Sequence, residues 1–119
     1  MANTNLYYPP DTPQSINALN EFVLLLNVDE DLLILTEVPG ITSANFHKII
    51  EIAGISSVTR LAEKYMTIGK NLNIRGHQLN QLFYEWLTND VKIHNHQNEI
   101  VQAIEKICDL KYPEFYNVT

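Results

Sequence analysis

Pro39 and Gly40 sit between two apolar segments, DLLIL (31–35) before them and FHKIIEIAGI (46–55) after. Proline cannot continue a helix and glycine turns the backbone freely, so the chain must reverse here within a few residues. Phe46, Ile49, Ile50 and Ala53 follow at i, i+3, i+4 and i+7, the spacing of a buried helical stripe. Thr42 or Ser43 stands where an N-cap is wanted, and Gly54 stands where that helix should end. A short helix, a tight hairpin and a second short helix are therefore expected.

The same periodicity recurs along the chain. Thr12-Pro13 reads as an N-cap and first position, opening a helix over about 13–26 with Ile16, Leu19, Phe22, Val23 and Leu26 inward. The acids of VDED (28–31) suit the start of a second helix, about 30–36. After the hairpin helix, ISS caps a fourth, about 57–66, burying Val58, Leu61, Ala62 and Tyr65. TIGKNLNIRG (67–76) reads as a loop. A fifth helix, about 77–88, buries Leu79, Leu82, Phe83, Trp86 and Leu87, with Tyr84 and Glu85 on the surface. Asn95 or His96 opens a sixth, reaching about 110, with Ile100, Ala103, Ile104 and Ile107 inward. The class is all-α: a compact bundle of about six short helices. It divides into an extended arm (1–11), one helical domain (12–111) and a tail (112–119).

The 119 residues suffice for one core and are marginal for two. The longest apolar run, FVLLL (22–26), is far short of the roughly 20 residues of a membrane span. The opening MANTNLYYPPDTPQ lacks the basic start and apolar centre of a signal peptide. Cys108 has no second cysteine to pair with, which fits a reducing, intracellular compartment, and it reads as a small core residue.

Charge is unevenly placed. Residues 1–47 hold no Lys or Arg but six acids, whereas eight bases and eight acids follow from Lys48 onward. The formal charge of −6 therefore belongs entirely to the first part, and any anionic partner should meet the second.

A helix, Pro-Gly-Ile-Thr and a second helix match the helix-hairpin-helix pattern of proteins that bind DNA without reading its sequence. Ile41 should pin the turn between the helices, and Gly40 should leave the approach to a ligand open. Free amides at Thr42, Ser43 and Ala44, with the helix dipole behind them, make a phosphate site. Lys48, one turn beyond Ala44 and off the apolar stripe, should reach the same phosphate or its neighbour. Arg75 reads as a solvated loop residue or a further phosphate contact. His94, His96 and His77, with no cysteine nearby, make a poor zinc set, so neither metal nor cofactor is expected. No nucleophile, base and orienting group stand in a recognisable pattern, so a binding protein is expected rather than an enzyme.

Past the hairpin the order VPGI, AGI, VTRLAEKYM, LFYEWL (82–87) and HNHQNEI resembles the barrier-to-autointegration factor (BAF) family over roughly residues 15–110. The resemblance implies a small sterile-alpha-motif-like (SAM-like), BAF-like fold. It also implies a homodimer that binds double-stranded DNA irrespective of sequence and bridges or compacts it. By position, it puts the phosphate-binding amides on Gly40, Ile41, Thr42 and Ala44, and a DNA-contacting lysine on Lys48. A second contact falls at the start of the last helix, around Asn95 and His96, with Lys92 and His94 beside it. Members of that family also bind a small helical domain of nuclear-envelope proteins; a helical protein partner is the matching expectation, but no residue of this chain carries that particular partner over. The expected location is intracellular, in a nucleus, another DNA-containing compartment or a virus particle. Two positions depart from the family: Thr42 replaces a second hairpin glycine, and Ala18 stands near a first-helix lysine. Those departures and the acidic first part favour an alternative, a protein-interaction adaptor that keeps the fold with lost or weakened DNA binding.

Overall fold

A computed structural model describes residues 7, 12–25 and 34–116. Among these the chain forms five α-helices and two single turns of 3-10 helix, with no strand. They are α1 (Pro13–Leu25), α2 (Ser43–Glu51), α3 (Val58–Leu72), α4 (Gly76–Asn89) and α5 (Gln97–Lys111), with the 3-10 turns at Leu35–Glu37 and Pro113–Tyr116. None of the helices is long and apolar enough to cross a membrane.

Helix α5 is the centre of the bundle, packing on α1, α3 and α4. Its expected stripe, Ile100, Ala103, Ile104 and Ile107, is fully buried. Val101 and Cys108 are buried too, because a helix with neighbours on three sides needs a wider apolar arc than a surface helix. Thr42 caps α2 through its hydroxyl, Ser57 does the same for α3, and Gly54, at φ +69°, closes α2.

Four expectations are corrected. Of the proposed helix at about 30–36, residues 30–33 lie outside the described residues, and Leu35–Glu37 form only a 3-10 turn. Helix α3 runs to Leu72 instead of stopping near 66. Gly69 is tolerated inside it because a Cβ there would lie 2.9 Å from both Leu79 and Phe115; the bare backbone lets α4 and the C-terminal turn close over it. The helix then ends at Asn73, in the left-handed region, with the Ile74 amide donating back to the Gly69 carbonyl at 3.0 Å.

Helix α4 is rotated from the expected face. Leu79, Asn80, Phe83, Tyr84, Leu87 and Thr88 are buried, while Leu82 and Trp86 are half-buried. Tyr84, expected outside, is inside. Trp86 instead stacks on Phe83 at 5.5 Å and carries the Lys64 ammonium 5.3 Å above its ring. Buried polar pairs account for the rotation: Tyr65 donates to Asn80 at 2.6 Å, and Gln97 donates to Thr88 at 3.2 Å. Ile16 and Ile50, expected inward, are exposed.

The flanking segments are tied to the bundle where they are described. Tyr7 is buried beside His77, and its amide donates to Gln81 Oε1 at 2.8 Å. Phe115, in the expected tail, is buried beneath Arg75.

Candidate functional site

The hairpin is built by short-range hydrogen bonds. The Val38 amide donates to Leu35, Ile41 to Val38, and Thr42 to Gly40, at 3.0, 3.0 and 3.1 Å. Val38 and Ile41 bury their side chains, so Ile41 does pin the turn. The Thr42 hydroxyl accepts from the Asn45 amide, and the Thr42 carbonyl accepts from Phe46. Thus the amides of Ile41 and Thr42 are satisfied inside the turn. Those of Ser43 and Ala44, in the first turn of α2, have no helical acceptor and lie on exposed residues.

Gly40 has a different role from the one expected. At φ +89° it occupies a region that side chains rarely adopt. A Cβ there would meet the His96 carbonyl at 2.7 Å, Ile100 at 2.9 Å and Glu99 at 3.0 Å. Its bare side therefore faces α5, and the hairpin is pressed against the first turn of that helix.

Asn45 completes the junction and is the residue that sequence reasoning missed. It is 1% exposed. Its side-chain amide donates to the Gly40 carbonyl at 2.9 Å, and to the backbone carbonyl and Oδ1 of Asn95 at 3.3 Å each. Its register is the available signal: Asn45 lies one turn before Ile49, and both are buried on the same face of α2. Asn95 is accordingly not the N-cap of α5. That position belongs to His96, in the left-handed region at φ +64° and without a side-chain cap bond, while Asn95 turns to Asn45.

The remaining expected residues gather around this junction. Lys48 Nζ donates to the Lys92 carbonyl at 2.7 Å. Lys92 is itself in the left-handed region, at φ +66°. His96 Nδ1 lies 3.0 Å from Glu99 Oε1. Hairpin, α2 and the start of α5 thus bring together Gly40, Ile41, Thr42, Ser43, Ala44, Lys48, Lys92, Asn95 and His96. Arg75 is elsewhere, donating to the Phe115 and Ile74 carbonyls.

The two flanks of the junction differ in charge. A groove of about 410 Å³ between α1, the hairpin and α5 is lined by Glu21, Glu37 and Glu99, with His96 as its only basic group. Lys48 and Lys92 lie outside that lining, joined to each other through the Lys92 carbonyl. A polyanion would be repelled by the groove and attracted to the lysines. Among the described residues no group of three or more His, Cys, Asp or Glu side chains stands close enough to hold a metal ion.

No family model, no curated protein and no solved structure matches the chain.

Proposed function

We propose that this chain binds double-stranded DNA irrespective of sequence, on a BAF-like helix-hairpin-helix scaffold, and links or compacts it as a homodimer. The observation that carries the reading is the contact of Gly40 with the first turn of α5. It makes neighbours of two helix N-termini, whose outward amides and positive dipole ends suit phosphate oxygens. Ser43 and Ala44 supply amides from α2, and Lys48 and Lys92 supply the charge. These contacts read phosphates rather than base edges, so the binding carries no sequence preference. The homodimer, a helical protein partner and a nuclear, viral or other DNA-containing location rest on the family resemblance alone.

With about three phosphates neutralised per subunit, affinity should fall as roughly the 2.7th power of salt concentration. One subunit then binds weakly, and bridging depends on two sites acting together.

A second reading, an interaction adaptor with lost or weakened DNA binding, is favoured by the three carboxylates of the groove and by the engagement of Lys48 with a backbone carbonyl. Titrating a random-sequence duplex at two salt concentrations, with wild type, Ala44→Glu and Lys48→Glu, separates the two. Ala44 is exposed, so the added carboxylate repels phosphate without disturbing the core. Binding that is salt-sensitive and weakened in both variants supports the DNA reading. A wild type with no salt-sensitive binding at about tens of micromolar leaves the adaptor. Light scattering on the same samples tests the dimer.

A further inference from the structure

We propose that Asn45 is a positioning residue that holds the first turns of α2 and α5 in one fixed register, so that they act as a single phosphate-contacting surface. The proposal rests on the DNA-binding reading above. Asn45 sits on the buried face of α2, one turn before Ile49, where an apolar side chain would have no polar group to satisfy. An amide there instead requires partners, and it finds them on both segments: Gly40 on the hairpin and Asn95 before α5. It is short, with few rotamers, and almost wholly enclosed at 1% exposure, so its bonds leave the segments little room to slide. The neighbouring Lys48–Lys92 bond is solvent-exposed and made by a long, flexible side chain, so it cannot impose the same precision. Gly40 allows the close approach; Asn45 fixes its geometry.

The test uses the full chain, at a temperature where circular dichroism reports every variant folded. Asn45→Leu keeps the branched shape, with bulkier methyl groups, but gives no hydrogen bond. Duplex affinity is expected to fall about tenfold, a typical coupling between contacting groups. The salt slope is expected to stay unchanged, because the lysines and amides are still present. In free protein, hydrogen exchange should quicken at the Thr42 and Ile100 amides, which bond to Gly40 in the hairpin and to His96 at the start of α5, the two segments that Asn45 ties together, but not at those of α3. Asn95→Ala, at an exposed position, should act in the same direction with a smaller effect, and decides alone if Asn45→Leu does not fold. Wild-type binding with Asn45→Leu unaffected overturns the positioning role and leaves the DNA reading intact. Exchange that quickens uniformly through the protein also overturns it, since that is general destabilisation. A wild type that does not bind overturns the DNA reading and this role with it.

Discussion

Lys48 Nζ donates to the backbone carbonyl of Lys92 at 2.7 Å, and Lys92 holds a left-handed backbone conformation that most residues avoid. A non-glycine residue there costs roughly 1–2 kcal/mol. Glycine would avoid that cost, so the lysine at this position is not explained by the fold.

Lys92→Gly should therefore move stability and binding in opposite directions. It should raise unfolding stability by up to about 1 kcal/mol, after the backbone freedom that glycine adds to the unfolded chain is discounted. It should also weaken duplex binding and reduce the salt slope by about one charge. Urea denaturation and a salt titration on the same protein check both. A loss of stability would mean that the Lys92 side chain supports the fold.

The glycines give a second contrast. Gly40→Ala meets both an unfavourable φ of +89° and an obstruction 2.7 Å away at the His96 carbonyl. Strain and displaced packing together should cost about 2–5 kcal/mol. Gly54→Ala has a similar φ, +69°, with nothing within 4 Å, and should cost only about 1–2 kcal/mol. Thermal unfolding of the two variants, side by side, measures the contribution of the hairpin–α5 contact.

Much of this junction was legible in the sequence, but its inner face was not. Pro39-Gly40, the Thr42 cap and the stripe through Ile49 are local signals, and local signals predict local structure. What Gly40 faces, and why Asn45 is buried, depend on α5, some fifty residues away in the chain. The end of α3 at Leu72 is hidden from the local sequence for a related reason. Gly69 and Asn73 look like loop residues until Leu79 and Phe115 are seen to occupy the space beside Gly69. Likewise Tyr84 is buried and Trp86 only half-buried because buried Asn80 and Thr88 find partners on α3 and α5.

Tyr7 is buried with its hydroxyl lacking a hydrogen-bond partner among the described residues. Burial first, and the Glu105 carboxylate second, push the phenol above its ordinary titration range. Asn80 opposes this, although it makes no hydrogen bond of good geometry to the hydroxyl. Tyr7→Phe should therefore stabilise the protein by about 1–3 kcal/mol, raising Tm by several degrees. Tyr7→Ala should destabilise it by losing the ring's packing. Scanning calorimetry distinguishes these signs, and a drop in Tm for Tyr7→Phe would indicate a partner for the hydroxyl.

Glu105 sets a pH dependence with a definite sign. Burial, more than any other influence, raises its carboxyl above the ordinary value of 4.5; the Asn80 bond opposes this, Asp109 adds to it, and Lys106 opposes it. The folded protein thus holds the proton more tightly than the unfolded chain. The associated stability is fully present below pH 4.5 and is lost as pH rises through the raised value. Glu105→Gln keeps an oxygen for the Asn80 amide without the buried charge, so it should flatten that decline and be more stable than wild type at pH 7. Denaturant midpoints for both proteins from about pH 4 to 7 provide the comparison.

Arg75 joins the C-terminal turn to the α3–α4 connection. Its Nε donates to the Phe115 carbonyl at 3.0 Å and its Nη1 to the Ile74 carbonyl at 2.7 Å, with the guanidinium 4.0 Å from the Phe115 ring centroid. The fork geometry and the stacking both need a planar group, which lysine lacks. Arg75→Lys should therefore cost about 1–2 kcal/mol although the charge is conserved. The damage should be local, because the bonds and the stack that are lost serve only to hold the C-terminal turn, whose Phe115 ring lies between Arg75, Tyr65 and the space at Gly69. Limited proteolysis should then cut Arg75→Lys near Tyr112 to Phe115 well before the bundle opens, while Lys48→Met, altered at the other junction, should not show that cut. Equal cleavage in both variants would mean that the C-terminal turn is released only by global unfolding.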